Sequence, residues 1–159
     1  MSHRYWRSVI AAGVVAFIAA PTHAQKSAAP PPGEKVAAGG HFDVYVLKKE
    51  ERPAPADYVA RAYQVTFLAH TEKHGIQRIT RRVETLDADL LDPKSWEIKD
   101  LDGDGLDDLR YLAQKTKDGC TVWPAMRWEK DHDRFTQGGP QLARSVDAHG
   151  KAVKNCVLR

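Results

Sequence analysis

The sequence predicts a mainly β domain: a small antiparallel β-sheet domain, propeller-like or sandwich-like, of about six to eight strands. Three observations predict it. Apolar and polar residues alternate over several short runs. Glycine and proline punctuate every interval between those runs. No segment keeps a 3.6-residue apolar period through three turns, as an amphipathic helix would.

The first run is HFDVYVL, residues 41–47, with Phe42, Val44 and Val46 on one face. Residues 48–57 are charged and contain Pro53 and Pro55, which reads as a loop. Residues 60–70 alternate again through Tyr63, Val65 and Phe67. TEKHG, residues 71–75, is a turn whose Gly75 suits positive φ. IQRITRRV, residues 76–83, returns as a strand, so the two runs form an antiparallel hairpin. Residues 86–92 read as a short helical turn or an edge segment, ended by Pro93. Trp96, Glu97 and Ile98 lead into an Asp/Gly loop, and residues 109–113 lead out. Residues 120–123 are strand-like, and residues 126–129 and 134–136 flank a second turn at 130–133. The tail holds one more short strand at residues 153–158.

Length and charge bound the function. A chain of 159 residues holds one domain with a short appendage. Its 24 basic and 21 acidic residues leave a net charge of +3, too balanced to indicate a nucleic-acid partner. The N-terminus carries Arg4 and Arg7, then an apolar run over residues 9–20, then Pro21 and the small residues Thr22 and Ala24. That run is the length of a secretory h-region and shorter than the roughly 20 residues of a transmembrane helix. Residues 1–24 are therefore expected to be a signal peptide, cleaved before Gln25. Residues 25–40, rich in Ala, Pro and Gly, read as a flexible leader, and residues 41–159 as the β domain. With no second long apolar run, no membrane span is expected after signal removal, and the product belongs in the periplasm or outside the cell.

Charge is distributed unevenly. Residues 84–108 hold ten acidic residues against two lysines, a net of −8. Such a density of carboxylates repels itself unless a cation sits among them. At its centre is DLDGDGLDD, residues 100–108. Counted from Asp100, carboxylates fall at positions one, three, five and nine, with Gly105 at six. Calcium takes six to eight oxygen ligands in flexible geometry, and alternate residues of a tightly curled loop can aim oxygens at one centre. Asp100, Asp102, Asp104 and Asp108, with the carbonyl of Leu106, are the expected ligand set. Asp107 should point outward or support a ligand. Position twelve is Tyr111, which cannot supply the bidentate Glu of an EF-hand, and the flanks read as strands.

This loop resembles the D-x-D-x-D-G-x-x-D calcium loop of FG-GAP and VCBS repeats, which lies between the strands of a β-hairpin. With the aromatic hairpin that holds Trp128, Asp131 and Phe135, the stretch 98–135 is similar to a family of small exported bacterial proteins of propeller-like fold. That family includes periplasmic lysozyme inhibitors and immunity proteins. The resemblance implies a calcium-stabilised hairpin and an inhibitor-like or immunity-type role.

Cys120 and Cys156 are the two cysteines, and an oxidising compartment predicts a disulfide between them. His70, His74 and His132 read as turn histidines, for no H-E-x-x-H pattern accompanies them. Ser95 and Ser145 lack a nucleophile elbow, and carboxylates that hold calcium are poor general acids. Arg78 and Arg82 should share one face of their strand, with Arg81 on the other beside Ile79 and Val83. Trp96, Trp123 and Trp128 are expected in the core. The chain therefore reads as a non-enzymatic binding module for a protein or a cell-envelope component. The alternative is a structural envelope protein whose calcium loop only stabilises its fold.

Overall fold

The computed structural model describes residues 29–157. The expected signal peptide, its expected cleavage point and the first residues of the expected leader lie outside the described residues. Eleven strands occur among those described: β1 (Glu34–Ala38), β2 (Phe42–Ala54), β3 (Tyr58–Thr71), β4 (Gly75–Leu86), β5 (Trp96–Lys99), β6 (Asp108–Tyr111), β7 (Gln114–Lys115), β8 (Thr121–Trp123), β9 (Ala125–Glu129), β10 (Arg134–Gln137) and β11 (Arg144–Val146). One short helix, α1 (Gly139–Leu142), precedes β11.

The strands form two sheets. The larger has the order β1-β2-β3-β4-β7-β8-β11 and curls into a half-barrel. The smaller has the order β10-β9-β6-β5. Every pairing is antiparallel except a single parallel step, Leu86 to Gln114, between β4 and β7. The mainly β class holds, and residues of both sheets meet in one shared core.

Period-two alternation produces that core. Phe42, Val44 and Val46 of β2, Tyr63, Val65, Phe67 and Ala69 of β3, and Ile79 and Val83 of β4 all face inward. The smaller sheet contributes Trp96, Leu109, Tyr111, Met126, Trp128 and Phe135. Phe135 is the junction. Its ring lies 4.9 Å from Phe42, 4.8 Å from Phe67 and 4.9 Å from Trp128, largely edge to face. Such contacts add about 0.5–1.5 kcal/mol per pair beyond area burial.

Four expectations need correction. Strands are more numerous than six to eight, because the second half breaks into pieces of two to five residues. Residues 48–54 continue β2 rather than forming a loop, despite their charge and Pro53. Beyond Lys48 this strand pairs only with β3 among the described residues, and a proline is tolerated on such an edge. The leader is ordered from Glu34 as β1, with Val36 buried, so the paired domain begins seven residues before His41. Residues 153–157 form no strand; an isolated bridge joins Val146 to Ala152 instead. Their anchor is the disulfide between Cys120 and Cys156, whose Cα atoms are 5.7 Å apart. The segment 86–92 is an irregular turn held by its own acids: Asp87 Oδ1 accepts from Val59 N, and Asp92 Oδ1 from Lys94 N.

Candidate metal centre

The Asp/Gly loop joins β5 to β6, and its shape is set by its own carboxylates. Asp100 accepts N–H bonds from Gly103 (2.7 Å) and Gly105 (2.9 Å), which curls the chain around it. Asp102 accepts from Asp104 N, and Asp104 from Leu106 N. Gly103 and Gly105 have φ of 84° and 86°, a region that disfavours side chains, so the two glycines permit the curl. Leu106 packs its side chain against the core and fixes the far end.

Asp108 begins β6 and has no solvent exposure. One oxygen accepts from Leu101 N at 3.0 Å, across the loop. The other accepts from Trp128 N at 2.8 Å, on β9. One carboxylate thus ties the loop to the strand that carries the aromatic core.

Ligand oxygens of Asp100, Asp102 and Asp108 lie within 4.8 Å of one another. Asp104 stands outside that group. It belongs to the expected ligand set by sequence position, but its side chain folds back on the loop at Leu106. Asp107 points away from the cluster and accepts a 2.6 Å hydrogen bond from Gly40 N in the β1–β2 turn. The neighbouring Gly39 approaches so closely that a Cβ there would lie 2.9 Å from Ile98 and 3.1 Å from Asp107. The paired glycines at 39 and 40 are the sequence signal for this contact.

Electrostatics give the cluster a use for a cation. Burial pushes the Asp108 carboxyl above the ordinary carboxylate range; the N–H groups of Trp128 and Leu101 oppose that, and the charges of Asp102 and Asp104 add to it. Asp100 is held below the ordinary range, first by Gly105 N–H and then by Gly103 and other loop amides. Arg127 stands 3.8 Å from Asp102, at the rim. The donor set is all oxygen, which suits a hard cation such as calcium better than a transition metal. A divalent ion among these carboxylates would reverse the upward pressure on Asp108.

Other sequence candidates have structural settings. Ser95 is buried and donates to Asp89 O at 2.5 Å. His74 Nδ1 lies 2.7 Å from Asp133 Oδ2, so one turn histidine joins the β3–β4 turn to the β9–β10 turn. His70 and His132 are exposed. Arg81 does lie on the inner face of β4 and donates to Phe135 O, while Arg82 pairs with Glu50 and Glu84 on the outer face. Trp96 and Trp128 are buried; Trp123 is half-buried under the Arg144 guanidinium.

A second charged knot was not visible in the sequence. Glu97 of β5 meets Lys99 at 2.7 Å, Arg144 at 3.0 Å and Arg110 at 3.3 Å. Burial alone would raise its carboxyl, but Lys99, Arg144 and Arg110 together bring it below the ordinary range. These partners come from β5, β6 and β11, and no local spacing predicts their meeting.

Comparison with family models, curated proteins and solved structures finds no match for this chain.

Proposed function

We propose that the chain is an exported β-domain protein that holds calcium in loop 100–108 and acts as a binding module for a protein or a cell-envelope component. The periplasm or the extracellular space is its place of work. The observation that carries the cation reading is the convergence of Asp100, Asp102 and Asp108 within 4.8 Å on a loop between paired strands. Asp100, Asp102 and Asp108 would hold the ion, and Asp104 would hold the loop backbone. The ion supplies charge neutralisation and no chemistry on a substrate. Export is supported by the disulfide, a bond that oxidising compartments preserve. Among the described residues no helix is long and apolar enough to cross a membrane. The inhibitor-like or immunity-type role rests on the resemblance of residues 98–135, loop and aromatic hairpin together, to the family of small exported bacterial proteins of propeller-like fold.

A second reading has its own observation. Asp108 bonds the loop to β9 as well as facing the cluster, so the ion could serve the fold alone.

Two experiments test the proposal. Extracellular calcium sites often have Kd near 10⁻⁴ M, so millimolar calcium should add about 1.4 kcal/mol and raise Tm by about 3–6 °C. Asp102→Ala should abolish that shift; a shift that survives it would overturn the ligand assignment. Affinity capture from an envelope extract, with lysozyme inhibition assays beside it, tests the binding role. An empty capture together with no inhibition leaves the structural reading in its place.

A further inference from the structure

The β1–β2 turn is fastened where it crosses loop 100–108. Gly39 N donates to Phe42 O at 2.7 Å and closes the turn. Gly40 N donates to Asp107 Oδ2 at 2.6 Å. The next residue is His41. Its carbonyl accepts from His70 N, so its backbone is fixed to the end of β3. Its half-buried imidazole lies 4.9 Å from Phe42, edge to face, and 4.9 Å from Trp128. Behind the turn, β1 is five residues long, bulged, and paired only with β2 among the described residues.

The ring is poorly placed to carry charge. Nε2 is buried and has no hydrogen-bond partner among the described residues. A neutral imidazole can leave one ring nitrogen as a bare acceptor, whereas an imidazolium must donate from both. A buried N–H without an acceptor is costly. Burial is the largest influence and holds the ring below the ordinary histidine value of 6.5; Asp107 and Asp104 of the loop oppose it through space, and His70 of β3 adds to it. Neither carboxylate bonds the ring as it stands, so a charged ring gains them only by leaving its aromatic slot. The other nearby charges are engaged: Lys35 with Asp43 across β1 and β2, Arg127 with Glu129 on the face of β9 opposite Trp128, and Asp133 before β10 with His74.

We propose that His41 is an acid-operated latch on the β1–β2 turn: its neutral ring seats the turn against loop 100–108, and protonation turns the ring out toward Asp107 and releases Gly40. The charged ring and the Gly40 amide then compete for one carboxylate. Above the ordinary histidine range the seated form has its full advantage, since seated and free rings are both neutral. It loses ground as pH falls below 6.5, where the free ring takes up a proton that the seated ring refuses. The long β2–β3 ladder keeps its pairing throughout. This device depends on neither the cation nor the binding role proposed above.

The test follows the purified protein by NMR, in chelator, from about pH 8 to about pH 5, a span that brackets the histidine range. Below the ordinary histidine value the ratio of free to seated turn should rise by up to about tenfold per pH unit. It is read as lost protection of the Gly39 and Gly40 amides, corrected for the intrinsic pH dependence of exchange. Amides of Val44 and Val65 should keep their protection. H41F fills the slot with a ring that takes no proton and should leave Gly39 and Gly40 unresponsive to pH; H41Q serves if H41F does not fold. In the wild type, the His41 ring signals should titrate with a midpoint below that of a histidine peptide. Protection of Gly39 and Gly40 that ignores pH, the same loss in the His41 variant, or an equal loss at Val44 and Val65 would each overturn the proposal.

Discussion

At the scale of single residues, the informative positions are those where charge or backbone angle conflicts with its surroundings. Glu97 has a side chain only 19% exposed and faces three cations. Its folded-state titration lies below the ordinary value, so its contribution is full above the unfolded carboxylate range and is lost as pH falls through the lowered value. Glu97→Gln should cost about 1–3 kcal/mol at neutral pH and almost nothing once wild-type Glu97 is protonated, read from urea unfolding at several pH values. An equal cost at every pH would show that packing, not charge, is responsible. Ala56 and Asp57 are a different conflict. Both have φ of 59° in the turn between β2 and β3, where Tyr58 N–H bonds Pro55 O. An alanine there is strained and a glycine is not. Ala56→Gly should therefore stabilise by roughly 0.5–1 kcal/mol, less the added freedom of the unfolded chain. A lower urea midpoint would contradict that.

At the scale of elements, legibility followed how local the cause is. The β3–β4 hairpin was readable because alternation, turn residues and Gly75 all lie within one stretch of sequence. The curl of loop 100–108 was readable for the same reason, since each carboxylate caps an amide two to five residues away. The far half of β2 was not readable. Its charged residues look like a loop, yet pairing with β3 from Glu50 to Ala54 makes them a strand, a decision taken across the hairpin. The roles of the aspartates divide on the same principle. Asp108 reaches Trp128, twenty positions away, and that bond has no sequence signature. Asp108→Ala should cost about 2–3 kcal/mol even in chelator, because it leaves the Trp128 and Leu101 amides without their acceptor. Asp102→Ala should change little in chelator and remove the calcium response. Equal losses for the two variants in chelator would mean that the loop, not the buried tie, holds β5 and β6 together.

At the scale of the whole molecule, the two halves are stabilised differently. The first half is long strands in continuous register around buried aromatic and β-branched residues. After Leu86 the strands shorten to two to five residues, and the chain depends on cross-links. The predicted pairing of Cys120 with Cys156 is the principal one, closing a separation of 36 positions. It fastens a tail that, after the bridge of Ala152 to Val146, has no strand of its own. In the chain-entropy account a loop of this size contributes roughly 3–4 kcal/mol through the unfolded state. The C120S/C156S variant should lose about that much in urea unfolding, and it should unfold in one transition because Cys120 sits beside the core strands. Hydrogen exchange separates this from a local effect. If the bond acts on the unfolded state, amides of β2 and β3 should exchange faster by the same free energy as the global loss. If only residues 147–157 exchange faster and the urea midpoint holds, the disulfide is a local clasp. The half-barrel would then be stable by its long strands alone.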